Sequence, residues 1–137
     1  MPEVNDFNTK IIEEFRANEG RLGGQFEGAP MLLLHTNGAK SGRERVNPMM
    51  YRLEDGTLYV FASKAGDPSN PDWYHNLVAN PEVSYEMGTE TVPARARVTD
   101  RAERDAVFSR QAGQYPGFAE YQQKTERVIP VVALEPA

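Results

Sequence analysis

Most of the apolar segments in this chain are joined by connections too short to contain a helix. A polar loop at 37–43 separates the segments 31–36 and 45–53. A hairpin turn of the Asp-Gly type at 55–56 then leads into the segment 57–62. Parallel strands need a crossover of a dozen or more residues, whereas antiparallel strands follow one another directly. The first three strands are therefore predicted to be antiparallel.

Later segments extend the same pattern. Strands are predicted at 83–87, 91–98 and 129–134, and apolar residues alternate with polar ones along 91–98. Strands in hairpin order, with helices inserted late, indicate an antiparallel sheet that closes into a small barrel. We predict a mainly β fold with helices, of the α+β class, as a single domain over 1–137 with the barrel and its inserted helices in 29–137.

The first 28 residues are predicted to form a helix and a loop. Asn5 and Asp6 are good helix-capping residues, Gly20 ends the helix, and the glycine-rich stretch 21–28 follows as the loop. The apolar residues at helical spacing are Phe7, Ile11, Ile12 and Phe15.

Three further helices are predicted. Asn70 as N-cap begins a short helix over 71–79. Asp100 opens the next helix with a D-x-x-E capping pattern. The break at 115–117 ends that helix, and a shorter one follows from 118 to about 127.

The composition excludes several kinds of chemistry. The chain has no cysteine and only two histidines, His35 and His75, which rules out thiol nucleophiles, disulfides and a His-rich metal centre. We expect no metal. No Ser-His-Asp spacing and no G-x-S-x-G elbow occurs, which disfavours a hydrolase.

Charge and hydropathy restrict the partners and the location. A net charge of -5 argues against nucleic acid as a partner. The N-terminus does not resemble a secretory signal, and no apolar run approaches the roughly 18 residues of a membrane span. Glu13, Glu14 and Glu19 disfavour an anionic membrane surface. We expect a cytoplasmic protein with no stable membrane insertion.

Two polar loops carry cations in this acidic chain. The stretch 38–45, Gly-Ala-Lys-Ser-Gly-Arg-Glu-Arg, combines flexible backbone, a hydroxyl and three cations, which suits a phosphate or carboxylate ligand. The stretch 62–68, Ala-Ser-Lys-Ala-Gly-Asp-Pro, adds a second hydroxyl and cation after another strand. If the sheet closes, both loops can converge on one anion. A solvated turn and a plain connector explain the same residues without any ligand.

The aromatic residues allow two interpretations. Trp73 could stack on a planar ligand, but a Trp on a short helix more often packs in a core, and His75 more often lies at the surface. His35, near the end of an apolar strand, is interpreted as a hydrogen-bonded structural residue. Tyr115, Phe118 and Tyr121 recur at three-residue intervals around the Pro-Gly break. They form either a packing cluster or a surface that orients an acceptor or donates a proton.

Taken together, four segments resemble the deazaflavin-dependent nitroreductase family. They are LHTNGAKSGRERVNPMMY at 34–51, ASKAG at 62–66, PDWYHNL at 71–77, and QYPGFAEYQ at 114–122 followed by IPVVAL. The resemblance covers nearly the whole chain from about residue 30, with the motifs in the family's order. It implies an antiparallel split β-barrel related to the FMN-binding flavoproteins, with coenzyme F420, an 8-hydroxy-5-deazaflavin, as the hydride donor.

The resemblance also implies roles for individual residues. Those that would hold the phosphate and polyglutamate tail are Lys40, Ser41, Gly42, Arg45 and Lys64. Ser63 would contact the reactive ring, and Tyr115 and Tyr121 would line the acceptor side, so these three are the candidate catalytic residues. The remaining candidate cofactor contacts are Pro48, Met49, Ala62, Ala65, Gly66, Trp73 and Asn76.

The function that follows from the resemblance is hydride transfer from reduced F420 to a small organic acceptor. Quinones, activated alkenes and nitroaromatics are the expected acceptors. An FMN-dependent reductase or oxidase on the same barrel, and a deazaflavin carrier without turnover, are the alternatives. A homodimer is compatible with the sequence.

Overall fold

The computed structural model describes residues 6–23 and 28–137 of the 137-residue chain. The strands are β1 (Met31–Asn37), β2 (Glu44–Glu54), β3 (Thr57–Phe61), β4 (Glu82–Met87), β5 (Glu90–Val98) and β6 (Val131–Pro136). The helices are α1 (Asp6–Ala17), α2 (Asp72–Ala79), α3 (Arg101–Gln114) and α4 (Pro116–Gln123), with a 3-10 turn at Lys64–Gly66. Every predicted strand is present, with its bounds shifted by at most two residues. The predicted cap residue Asn5, and residues 24–27 of the predicted loop, lie outside the described part.

The strands form a closed antiparallel barrel. Their order around it is β1-β2-β3-β6-β5-β4, and the pairing of β1 with β4 completes the circle. All six pairings are antiparallel, and three of them, β1–β2, β2–β3 and β4–β5, are the pairs that the short connections predict. The predicted mainly β fold with helices is therefore confirmed.

Alternating strand direction brings particular loops to the same end of the barrel. β1, β3 and β5 all finish at one end, which we call the upper end. The cation-bearing loops at 38–43 and 62–71 both leave from it, and the segment 124–130 enters β6 there. The hairpins at 55–56 and 88–89 lie at the opposite, lower end. The predicted convergence of the two polar loops thus follows from the topology.

Among the described residues, one half of β2 pairs with a strand on one side only. β3 pairs only with residues 51–54, and within the described part of the chain no strand pairs with 44–50 opposite β1. Tyr51 donates its N–H to the Pro30 carbonyl at 3.0 Å, which means that the odd-numbered residues of β2 direct their backbone groups toward β1. Successive residues of a strand direct these groups to opposite sides, so the even-numbered residues direct theirs toward the uncovered side. Pro48, which has no N–H, lies on this edge and hinders pairing with a further strand.

The buried apolar side chains form three clusters, one inside the barrel and two outside it. The interior cluster includes Leu32, Leu34, Val60, Trp73, Leu77 and Val132. The α3–α4 cluster, which covers β3 and β6, includes Phe61, Phe108, Phe118, Ile129 and Val131. The α1 cluster, which covers β1, includes Ile11, Phe15, Leu22, Met31 and Leu33. Trp73 is 8% exposed, which confirms its interpretation as a core residue.

The start of α2 differs from the prediction. Pro71 occupies the cap position, the helix begins at Asp72, and no side chain caps it. Asn70 is therefore not the N-cap; its side-chain oxygen instead accepts a hydrogen bond from the Arg127 guanidinium at 2.8 Å. Competition from this distant cation, which a local capping rule does not include, explains the difference.

The two C-terminal helices follow the prediction more closely. Asp100 caps α3 by accepting from the Glu103 N–H at 2.8 Å, as predicted. α4 begins at Pro116, in the favourable first position, and ends at Gln123, so the predicted helix over 118–127 is displaced toward the N-terminus. The early end leaves Arg127 in the loop that precedes β6.

Candidate functional site

The loop between β1 and β2 is closed by its own hydrogen bonds. Gly38 donates to the Arg43 carbonyl at 2.8 Å, and Gly42 donates to the Gly38 carbonyl at 2.9 Å. Ser41 Oγ accepts from the Arg43 N–H at 3.1 Å. Gly42 has φ +73°, a backbone conformation that favours glycine. The loop therefore holds a defined shape without a ligand.

The cations of this loop lie at the surface. Lys40, Arg43 and Arg45 are exposed, and none of them forms a hydrogen bond or ion pair through its side chain with the described residues. Most other arginines behave differently: Arg16, Arg97 and Arg110, for example, are each paired with a carboxylate. Unpaired positive charge in a protein of net charge -5 provides a binding surface for an anion.

Asn76 fixes the position of this loop against α2. Its Oδ1 accepts from the Ala39 N–H at 2.9 Å, and its Nδ2 donates to Thr36 Oγ1 at 3.2 Å. The side chain is 8% exposed. The resemblance assigned Asn76 to the cofactor; in the structure each end of its amide forms a hydrogen bond with the protein, and these bonds position the loop.

The second loop contains two residues in left-handed conformation, Lys64 at φ +46° and Gly66 at φ +83°. Lys64 Nζ donates to Ser69 Oγ at 3.1 Å, and the Ser69 hydroxyl donates to Asp67 Oδ1 at 2.7 Å. The backbone N–H of Ser69, followed by its hydroxyl, lowers the pKa of Asp67. The Ser63 hydroxyl is half-buried and has no hydrogen bond to the described residues. Ser63 and Lys64 thus lie side by side, with the serine hydroxyl available to a ligand.

Gly66 is in close contact with α4. A Cβ atom at this position would lie 2.8 Å from the Tyr121 carbonyl oxygen and 2.9 Å from Lys124 Cβ. The sequence assigned Gly66 to the cofactor, yet the structure gives it a packing role that joins the loop to the helix carrying Tyr121. Ala62, at the end of β3, is fully buried in the interior cluster. Neither residue has a side chain that reaches a ligand.

Arg127 organises the second loop, and sequence reasoning missed it. Its guanidinium donates to the carbonyls of Ala62 at 3.0 Å, Ser63 at 2.8 Å and Asp67 at 2.8 Å, and to the Asn70 side chain. Burial lowers the pKa of Arg127. These partners precede it by 57 to 65 residues, so no local sequence pattern could have revealed the contacts.

The outer face of β2 forms a half-exposed apolar strip between two helical walls. Val46, Pro48 and Met50 share this face, since side chains alternate along a strand. Met50 packs against both the α1 cluster and the α3–α4 cluster, so the strip lies between them. We call these three residues the β2 strip. With its uncovered backbone edge, it offers both apolar contact and hydrogen-bonding groups to a planar molecule.

The two neighbouring methionines of β2 face in opposite directions. Met49, the one that the sequence assigned to the cofactor, packs against the interior cluster. Met50 lies on the β2 strip instead. The alternation of strand side chains separates the two, and the direction was not fixed until the barrel closed.

The aromatic residues of the C-terminal half meet in the α3–α4 cluster. Phe118 is buried, with its ring 5.4 Å from Phe61 and 5.7 Å from Tyr121 between centroids. Tyr115, at the junction of α3 and α4, and Tyr121 are half-buried and pack against the same cluster. The predicted grouping of these aromatic side chains is confirmed. Neither phenol hydroxyl has a partner among the described residues, so both remain able to contact a ligand.

The two histidines lie outside this arrangement. His35 Nδ1 is 3.1 Å from Glu44 Oε2, and its Nε2 is 2.6 Å from Glu86 Oε2, which confirms a hydrogen-bonded strand residue. His75 is exposed, as expected. Within residues 6–23 and 28–137, no group of three or more His, Asp or Glu side chains could hold a metal ion. No helix of the same residues is long and apolar enough to cross a membrane.

A separate concavity of about 520 Å³ lies beside the end of α1. Its lining residues are Glu14, Ala17, Asn18, Glu19, Arg21, Leu22 and Gly23. A Cβ atom on the neighbouring Gly20 would lie 2.7 Å from Gly88 Cα, which places this concavity at the lower end of the barrel. Its two carboxylates make it unsuitable for an anionic ligand. The cations and the β2 strip therefore define the candidate site.

Comparison with known proteins assigns this arrangement to a family. Residues 9–136 match the family model described as F420H(2)-dependent quinone reductase. The chain belongs to this family. It is accordingly an oxidoreductase that uses F420H2 as its hydride donor, and the resemblance to deazaflavin-dependent reductases is confirmed.

Individual relatives agree with the family assignment. An F420H(2)-dependent quinone reductase of Mycobacterium tuberculosis is 38% identical over 127 residues, covering 88% of this chain and 83% of the relative. A solved structure described as an F420-H2 dependent reductase is 44% identical, covers 77% of this chain and 94% of its own, and superposes with a TM-score of 0.70. Another, described as a domain-swapped dimer, is 40% identical, covers 93% of each chain and has a TM-score of 0.72. The two solved structures support the split-barrel assignment of the fold.

Proposed function

We propose that this protein transfers a hydride from F420H2 to a quinone at the upper end of its barrel. The observation that carries the proposal is the coexistence of the half-exposed β2 strip with exposed cations on two converging loops, none of which has a carboxylate partner among the described residues. A cofactor with an anionic tail and a planar ring needs these two surfaces together. The quinone acceptor is supported by the name of the family and of its relatives.

The tail is assigned to the cations of the two loops. Lys40 and Arg45 present unpaired charges at the first loop, and Lys64 presents a third at the second. Lysine and arginine bind phosphate and carboxylate by charge-assisted hydrogen bonds. Ser41 and Gly42 shape the first loop so that its cations stay at the surface.

The ring is assigned to the β2 strip and the adjoining Ser63. Pro48 and Met50 supply apolar contact, and the uncovered edge of β2 offers backbone donors and acceptors to the polar margin of a ring. Ser63 lies at the end of β3, beside the uncovered half of β2, with its hydroxyl available to a ring atom. When bound, reduced F420 supplies the two electrons and the hydrogen as hydride.

The acceptor is assigned to the surface formed by Tyr115 and Tyr121. These half-buried phenols border the α3–α4 cluster, to which Met50 also belongs, so an apolar quinone ring packs there beside the cofactor ring. Packing against this surface positions the quinone ring close to the cofactor ring, in the orientation that hydride transfer needs. The proton that completes reduction of the quinone comes from a tyrosine hydroxyl or from solvent.

A parallel titration with oxidised F420 and with FMN tests the cofactor assignment. Trp73 is the single tryptophan of the chain, so its fluorescence reports binding without a label. We expect F420 to bind more tightly than FMN, and Lys64→Ala to weaken F420 binding by about 1.5 to 3 kcal/mol, the contribution of a hydrogen bond to a charged group. Lys10→Ala, which removes an exposed cation on α1, is the matched control.

Each outcome bears on a different part of the proposal. Preference for FMN would replace the F420 reaction with an FMN-dependent one on the same barrel. Equal losses of F420 affinity in Lys64→Ala and Lys10→Ala would show that the second loop does not bind the cofactor tail. Binding of F420 without oxidation of F420H2 by a soluble naphthoquinone would make the protein a carrier rather than a quinone reductase.

The oligomeric state is a further part of the proposal. A homodimer is supported by the relative described as a domain-swapped dimer, which this chain matches over 93% of its length. Light scattering during size-exclusion chromatography gives the mass in solution. A mass of one chain at all concentrations would contradict the dimer.

A further inference from the structure

One guanidinium fills the concave side of the second loop. Arg127 enters it from the segment before β6, with Nε donating to the Asp67 carbonyl at 2.8 Å. Its Nη1 donates to the Ala62 carbonyl at 3.0 Å and to Asn70 Oδ1 at 2.8 Å, and its Nη2 donates to the Ser63 carbonyl at 2.8 Å. The described residues place no carboxylate in an ion pair with this cation. Its partners are therefore loop groups, not a counter-ion.

Besides the packing of Gly66 on α4 and the bonds that link Lys64, Ser69 and Asp67, the loop has few hydrogen bonds of its own. Its internal backbone bonds are those from Gly66 to the Ser63 carbonyl and from Asp67 to the Lys64 carbonyl. Lys64 is held in the left-handed region, which is unfavourable for a residue with a Cβ atom. Three carbonyls directed to one point repel each other unless a cation lies among them. Arg127 supplies that cation, so the loop conformation depends on it.

The contacts continue from Arg127 to the residues assigned to the cofactor. Holding the Ser63 carbonyl fixes the backbone that carries the unpartnered hydroxyl. Holding the Asp67 carbonyl fixes the carboxylate that accepts from Ser69, and Ser69 Oγ in turn accepts from Lys64 Nζ. Both ligand-directed groups of the loop are thus positioned through Arg127.

We propose that Arg127 is the positioning residue of the second loop, which sets cofactor affinity by holding Ser63 and Lys64 in place without touching the cofactor itself. A guanidinium has five N–H donors, and four of them are used within the protein. The proposal rests on the F420 function given above. It goes beyond that function by naming a residue outside the ligand surface that controls it.

Two substitutions and a matched control test the effect on binding. Arg127→Met keeps an unbranched apolar side chain and removes all donors, and Arg127→Lys keeps the charge without the planar fork. We expect the dissociation constant for oxidised F420 to rise at least about tenfold in the Met variant and to rise less in the Lys variant. The control is Arg97→Met. Arg97 is half-buried and donates to Glu103 at 2.9 Å and to Glu135 at 2.8 Å, but neither to the second loop nor to the segment that carries Arg127, so the dissociation constant of this variant should stay close to wild type.

A second measurement needs no cofactor. In the unliganded protein, hydrogen exchange at the Gly66 and Asp67 amides reports the loop directly, because both amides are bonded inside it. We expect their protection to fall in Arg127→Met and to stay unchanged in Arg97→Met. In Arg127→Ala, added guanidinium should restore both protection and F420 binding, whereas sodium chloride at equal ionic strength should not.

The outcomes separate this inference from the function on which it rests. If the wild-type protein does not bind F420, the proposed function fails, while the hydrogen-exchange result still decides the role of Arg127 in the loop. If wild type binds F420 and Arg127→Met binds it equally well, the positioning role is refuted. If Arg127→Met does not fold, Arg127→Lys and guanidinium rescue of Arg127→Ala test the proposal instead. Wild-type affinity of Arg127→Lys for F420, or failure of guanidinium to restore F420 binding in Arg127→Ala, overturns it.

Discussion

Replacing Gly66 with alanine tests how the second loop is joined to α4. Gly66 has φ +83°, and a Cβ atom there would lie 2.8 Å from the Tyr121 carbonyl oxygen and 2.9 Å from Lys124 Cβ. The left-handed conformation costs a residue with a Cβ atom about 1 to 2 kcal/mol. Overpacking against groups that cannot move away adds about 1 to 3 kcal/mol. We expect Gly66→Ala to lower the free energy of unfolding by about 2 to 5 kcal/mol.

Gly42→Ala provides the matched control for this prediction. Gly42 has a similar φ of +73°, but a Cβ atom added there would meet no atom within 4 Å. Its substitution should cost only the conformational part, about 1 to 2 kcal/mol. The lower entropy of the unfolded alanine chain affects both variants equally and cancels in the comparison.

Urea unfolding of both variants measures the difference. The slope with denaturant should match that of the wild-type protein, so that the change lies in stability and not in the extent of unfolding. A larger loss for Gly66→Ala assigns the excess to the contact with α4. If the two variants lose the same free energy, the close packing of the second loop on α4 is refuted, and Gly66 returns to the list of candidate cofactor contacts.

Two further predictions concern the first loop and the lower end of the barrel. Asn76→Ala should lower the free energy of unfolding by about 1 to 3 kcal/mol and weaken F420 binding, because the loop at 38–43 loses its hydrogen bonds to α2. Urea unfolding measures the first effect and fluorescence titration the second. His75→Ala, on the exposed side of the same helix, should change neither quantity. Hydrogen bonding to Arg110 is the main reason why the pKa of Glu54 is lowered from 4.5 to about 2. A lowered folded-state pKa stabilises the protein above pH 4.5, and this stabilisation is lost as the pH falls toward 2. Urea midpoints measured across this range should therefore fall less steeply for Arg110→Met than for wild type, and parallel curves would contradict the assignment.

The strands and the hairpins that join them could be predicted because their signals are local. Alternation of apolar residues, the hairpin turn at 55–56 and the capping residue Asp100 each act within a few positions, and all three predictions are confirmed. The two cation-bearing loops were also visible in the sequence. Their convergence followed from antiparallel order once the barrel was assumed to close.

Other predictions depended on groups that are distant in the sequence. Asn70 has the chemistry of a helix cap, yet its side-chain oxygen accepts a hydrogen bond from Arg127, which lies 57 residues away in the sequence. Asn76 has the chemistry of a ligand contact, yet each end of its amide is hydrogen-bonded to the protein, to Ala39 and to Thr36. In both cases a distant partner competes with the local or ligand-directed role, and composition gives no sign of it.

The sequence by itself determined the antiparallel order of the hairpin-linked strands, the positions of the turns and the two cation-bearing loops, because each depends on neighbouring residues. Only the tertiary structure decided that Met50 and not Met49 lies on the β2 strip, that Gly66 packs on α4, and that Arg127 holds the second loop. These features depend on which elements of the fold lie next to each other once the barrel has closed. The energy of a buried hydrogen bond or of a close contact exists only when both partners have been brought together, so no single segment of the chain encodes it.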